Sequence, residues 1–346
     1  MTGARVRPRS PTVAQVPVEP VSVEQVPVQR SVVGYGGPRL QPGHYEPDWV
    51  PEIIARHRGV PDTLPPGSPG KIGILELGFA RRGDGTELVE HYQKSPLQIM
   101  RPLYYDPLRP DMPYTYLMST GAGIMQGDRL RTDLTFGPGS SAHVTTSAYT
   151  KVLKMEHDYA VAQVNLDVQD EAYVEYLPDP LIAFARSRLY QRNRVTIAES
   201  ATLVMGETFM AGRLGRGERH AYTALASDLE VRRPTGHMVA LDRVRLVPQD
   251  GDTGGLAVMD DRDVLSMLYV LTDRMSAKEL QELLHDTLAP EVGDVSFGVS
   301  ALPGEAGAWV RMVADDVMSV AHATTLAWRA LRLALTDVEA PLIRKC

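Results

Sequence analysis

Three stretches of the chain, residues 134–144, 166–174 and 195–203, share one form: an alternating apolar run, a polar turn, an alanine, and a second alternating run. Ala142, Ala172 and Ala201 mark the three copies at spacings of 30 and 29 residues, with two extra residues in the first turn. A side-chain period of two belongs to a strand with one buried face. A unit this short cannot bury that face alone, so successive copies must stack on a common core. The expected fold class is mainly β: a stacked, β-helix-like body of layered strands, favoured over a β-sandwich.

Single strands carry the same signature. Leu130, Leu134 and Phe136 point one way, while Arg129, Arg131, Asp133 and Thr135 point the other. Val164, Leu166 and Val168 alternate with polar neighbours, and Gly137-Pro-Gly139, Asp170-Glu171 and Glu199-Ser200 supply turns. Two helices are expected near the C-terminus. Ser276-Ala-Lys-Glu279 has capping-box spacing and begins a helix running to about His285. A hairpin, 295–301 with 308–314, precedes a second helix capped by Asp315. Its stripe of Val317, Val320, Ala321, Thr324, Trp328, Leu331 and Leu335 is core-facing.

Proline divides the chain: 13 of the 26 lie in residues 1–70. That stretch is expected to be a Pro/Val-rich, disordered arm, apart from a helical turn near Pro51, with residues 71–346 forming one domain. The net charge of −7 argues against a nucleic-acid binder, and no apolar run approaches the roughly 18 residues of a membrane helix. The lone cysteine, Cys346, excludes internal disulfides and Cys-rich metal sites, and with no signal-peptide core the expectation is a cytoplasmic protein. Nine histidines form no His-Glu-x-x-His or His-x-His pair, so no stable metal site and no permanent cofactor is expected.

Gly121-Ala-Gly123-Ile-Met-Gln-Gly127-Asp128 is not a dinucleotide fingerprint, because a strand follows it where a helix N-terminus would be needed. It reads as a loop whose glycines let backbone approach backbone, with Asp128 fixing the loop or facing an interior channel. Glu175 and Glu207 interrupt apolar strands. A buried, unpaired carboxylate costs several kcal/mol. Two readings stay open: an exposed edge or salt bridges to arginines such as Arg186, Arg188 or Arg213, or a wet internal passage where oxygen ligands hold a divalent cation transiently.

Four segments taken together resemble the urease accessory protein UreD (UreH) family. They are Ser119-Thr-Gly-Ala-Gly-Ile-Met-Gln-Gly-Asp-Arg-Leu130, Thr145-Thr-Ser-Ala-Tyr-Thr-Lys-Val152, Val174-Glu-Tyr-Leu-Pro178 and Gly206-Glu-Thr-Phe-Met-Ala-Gly-Arg213. The resemblance spans about residues 71–340. It implies a non-catalytic assembly factor that binds apo-urease subunits with UreF and the GTPase UreG, and assists nickel insertion. No nucleic-acid or membrane partner is implied. In such proteins a water-filled tunnel has been proposed as the nickel route, and Asp128 and Glu207 match its acidic positions. With Glu175 they are the expected passage residues. The alternative is a β-rich enzyme or small-ligand-binding domain with its pocket near Asp128 and Glu207.

Overall fold

The computed structural model describes residues 37–59, 71–251, 253–290 and 293–343. Short helices α1 (Pro42–Tyr45) and α2 (Glu52–Ala55) precede strands β1 (Ile72–Arg82), β2 (Gly85–Lys94), β3 (Leu97–Gln98) and β4 (Tyr114–Ser119). The repeats follow as β5 (Arg129–Phe136), β6 (Ser141–Thr146), β7 (Thr150–Val152), β8 (Ala160–Val168), β9 (Tyr173–Tyr176), β10 (Leu181–Ala183), β11 (Arg188–Ile197) and β12 (Thr202–Met210). Then come β13 (Ala224–Arg232), β14 (Met238–Leu246), β15 (Val264–Leu271), α3 (Ala277–Leu288), β16 (Ser296–Ala301), β17 (Gly307–Ala314) and α4 (Val317–Thr336).

The chain winds between two facing sheets. The first has the order β14-β13-β11-β8-β5-β1-β2; the second is β16-β17-β15-β12-β9-β6-β4-β3, with β7 and β10 beside it. Each circuit lays one strand on each sheet, so β1, β5, β8, β11 and β13 pair in parallel, as do β4, β6, β9 and β12. Antiparallel partners, β2 and β14 on the first sheet and β15 on the second, end these parallel runs. This is the expected stack of coils, a β-solenoid.

Parallel in-register pairing turns the period-two pattern into ladders. Leu77, Leu134, Leu166, Val195 and Val231 stand side by side, as do Phe79, Phe136, Val168 and Ile197, all inside the core between the sheets. Phe79 and Phe136 stack 5.3 Å apart. Registry also corrects the repeat alignment. Because Ser141 and Thr202 both pair with Tyr173, the residue in line with Ala172 and Ala201 is Ser140, not Ala142. Ser140, fully buried, fits the same tight corner as the alanines, so the first turn carries no insertion.

A second core covers the outer face of the second sheet, where Leu280, Leu284 and Leu288 of α3 and Val320, Ala323, Ala327, Leu331 and Leu335 of α4 pack on Val204, Leu268 and Val310. The Ser276 capping box is present. α4 is capped by Asp316, one residue beyond the expected Asp315; its Oδ1 accepts from the amides of Met318 and Ser319 at 2.8 and 2.9 Å. The buried stripe is rotated from the expected one. Ala323, Ala327 and Arg332 enter it, while Ala321 and Thr324 are only partly buried.

Residues 1–36 and 60–70 of the expected arm lie outside the described residues. The stretch between them packs on the body, contrary to a folded part beginning near Lys71. Ile54 is fully buried with Tyr159, Tyr190 and Ala226 on the outer face of the first sheet, and Tyr45 is buried with Ile72 and Ile74. Those strand positions are apolar on the outward face too, and the short helices cover them.

Candidate functional site

Along the inner face of the first sheet the apolar ladders give way at one end to polar side chains. Gln191 and Ser227 sit in register with Leu130 and Ala162, and Asn193 with Thr132 and Val164. Opposite, β12 presents Glu207, in phase with the inward Met205 and Phe209. A cavity of about 270 Å3 lies between the sheets here, with the small Ala162 in its lining. Its lining runs from the exposed loop residues Gly121 and Ala122 and the exposed Lys151 of β7 to the buried Asn193 and Glu207.

Glu207 is its buried carboxylate. Oε1 accepts from Asn193 Nδ2 at 3.0 Å, from Ser227 Oγ at 2.7 Å and from Gln191 Nε2. Among the described residues no cation pairs with it. Burial pushes its pKa up to about 7, against the opposing pull of these three donors. The carboxyl therefore exchanges its proton near neutrality. Asp179 lines the same cavity and is held by Thr146, whose Oγ1 donates to Oδ2 at 2.9 Å. Thr132, Thr150 and Thr208 also line it, and its lining contains no histidine or cysteine.

The three expected passage residues do not share this space. Asp128 is buried, and its Oδ2 accepts from the Met125 amide at 2.7 Å, which closes the glycine loop. Burial raises its pKa to about 6 despite that amide and nearby Lys71. Of the two roles open to Asp128, the structure displays the loop-fixing one. Gly123 provides the close approach: a Cβ there would lie 2.4 Å from the Lys151 carbonyl, and the Ile124 amide bonds that carbonyl at 2.7 Å. Gly127 adopts a left-handed φ of 74°, whereas Gly121 has no such constraint and lines the cavity rim.

Glu175 faces the other way. Its neighbours Val174 and Tyr176 point into the inter-sheet core, so Glu175 points outward beneath α4. There Tyr114, His143 and Glu175 stand in register on β4, β6 and β9. His143 Nδ1 lies 2.7 Å from Glu175 Oε2, and Tyr173 donates to Oε1 at 2.8 Å. Arg332, fully buried on α4, reaches Glu175 at 3.3 Å and Asp106 at 2.6 Å, and bonds Tyr114 Oη at 2.6 Å. Burial alone would raise the Glu175 pKa, but His143 and Arg332 hold it below the ordinary value. The salt-bridge reading thus holds for Glu175, with a different partner. Arg186 and Arg213 pair with Glu156 and Glu218, and Arg188 bonds the carbonyls of Met155 and Asp158.

A β-solenoid with a cavity between its sheets that holds a buried carboxyl, capped by two helices on one outer face, defines the class of protein. The sequence profile described as UreD urease accessory protein matches residues 71–345, and the chain belongs to that family. It is 52% identical to urease accessory protein UreD 2 of Streptomyces griseus over 84% of this chain and 100% of that protein. It is 37% identical to urease accessory protein UreD of Haloarcula marismortui, over 81% and 92%, and 34% identical to urease accessory protein UreD 3 of Methylorubrum populi, over 80% and 89%. None of the described helices is long and apolar enough to cross a membrane.

Proposed function

We propose that this protein assists urease maturation by holding apo-urease, together with UreF and UreG, and passing nickel through the inter-sheet cavity. It acts by binding and positioning, without bond chemistry, in the cytoplasm. Family membership supports the urease assignment. The observation that supports the nickel role is Glu207: a buried carboxyl that shares the cavity lining with Asp179 and, among the described residues, has no arginine paired to it. Oxygen ligands without imidazole or thiolate bind nickel weakly enough to release it. A carboxyl that titrates near pH 7 exchanges a proton for a metal ion at little cost. Asp179 extends the path toward Thr146 at the end of β6 and Lys151 of β7.

Producing the urease subunits and the remaining accessory proteins with and without this chain tests the assignment. Urease activity and nickel content should both fall sharply in its absence; equal nickel loading would overturn it.

A further inference from the structure

The outer face of the first sheet holds a separate cluster, on the opposite side of the strands from the cavity. Glu76 of β1 and Asp133 of β5 are direct partners in a parallel register. Two like charges directly across a strand pair repel unless something neutralises them. Above them sits His44 of α1, with Nε2 3.3 Å from Glu76 Oε1. That Nε2 is buried and makes no hydrogen bond. The three ligand atoms all lie within 4.8 Å of one another.

We propose that His44, Glu76 and Asp133 bind one divalent transition-metal ion of the nickel or zinc kind. One imidazole nitrogen and two carboxylate oxygens suit such borderline ions, which take these ligands at about 2.0–2.2 Å.

The scaffold is already fixed. Arg131 donates to the His44 carbonyl, Gln163 Nε2 donates to the Tyr45 carbonyl at 2.8 Å, and Glu46 pairs with Arg129 at 2.9 Å. These contacts staple α1 to the sheet and set the imidazole over the carboxylates. Asn165 Nδ2 and Arg131 Nε orient Asp133 at 2.6 and 2.8 Å, as outer-shell partners of metal ligands do. Arg39, half-exposed, holds Glu76 at 2.7 Å. It is the group that an incoming cation displaces.

Nickel chloride and zinc sulfate titrated separately into the metal-free full-length chain, with bound metal counted after dialysis, test the site. One equivalent should be lost in His44→Ala and in the near-isosteric Glu76→Gln, and retained in Glu207→Gln, which separates this site from the cavity. Arg39→Ala should bind at least threefold more tightly, a result that a purely structural cluster would not give. Thermal unfolding of the metal-free variants verifies that they fold. Equal stoichiometry in wild type and His44→Ala, or affinity unchanged or weakened in Arg39→Ala, overturns the proposal.

Discussion

Arg332 Nη2 lies 2.6 Å from Asp106 Oδ2, with both side chains out of contact with solvent. The pair joins α4 to the segment before β4, and through Glu175 to β9. Removing one member of a buried ion pair leaves the other desolvated and uncompensated, which costs about 3–5 kcal/mol. Arg332→Met should therefore lower unfolding stability by about that amount in urea titration. Because two carboxylates are stranded, the loss should shrink at acid pH as they become protonated.

Glu207 predicts the opposite response. Its folded pKa of about 7 lies above that of an exposed glutamate, so between those values the folded chain holds a proton that the unfolded chain has released. Its contribution is fully present below the unfolded pKa and is lost as pH rises through about 7. Glu207→Gln removes this dependence while keeping an acceptor for Asn193 and Ser227. The variant should match wild type near pH 4.5 and exceed it at pH 8 by up to about 3 kcal/mol, read from unfolding free energies across that range.

The glycine loop supplies a paired test. Gly123→Ala forces a Cβ against the Lys151 carbonyl and should cost about 2 kcal/mol or more. Gly121→Ala on the same loop meets only ordinary contacts and should fall within about 0.5 kcal/mol of wild type. Thermal denaturation of the two variants compares them directly.

Ile54 tests whether the proline-rich side of the expected boundary belongs to the fold. Its side chain is fully buried among Tyr159, Tyr190 and Ala226. Truncating a large aliphatic side chain at such a position costs about 2–4 kcal/mol. Ile54→Ala should show that loss in denaturant titration, whereas a residue of a detached arm would show none.

Much of the fold was legible because a solenoid repeats one local rule. The alternation in β5, β8 and β11 identified the buried faces, and stacking then set Leu134 beside Leu166 and Val195. The small residue at the corner was misplaced because Ala142 and Ser140 fit a tight turn equally well, and only strand registry separates them. Composition hid the packing of residues 37–59, since proline content says nothing of Tyr45 and Ile54 lying on outward apolar positions of the sheet.

The site was less legible in the sequence than the fold. Glu175 and Glu207 look alike in sequence, yet the period of two already distinguishes them. Val174 and Tyr176 are inward residues, so Glu175 must be outward; Met205 and Phe209 are inward, so Glu207 is inward with them. Arg332 had a weaker signal, a charge one residue after Leu331 on an otherwise apolar stripe. Its partner Asp106 lies 226 positions away, a relation no local pattern carries. His44, Glu76 and Asp133 come from three separate elements, so ligand-spacing rules did not reveal them.

Under the proposed function, nickel passes Glu207 on its way into urease. Nickel per active site, measured in urease purified from cells that carry the accessory proteins with either wild type or Glu207→Leu, tests it most directly, provided the variant still co-purifies with its partners. Nickel content should fall severalfold with Glu207→Leu while co-purification is unchanged. Urease fully loaded with nickel alongside that variant would contradict the claim.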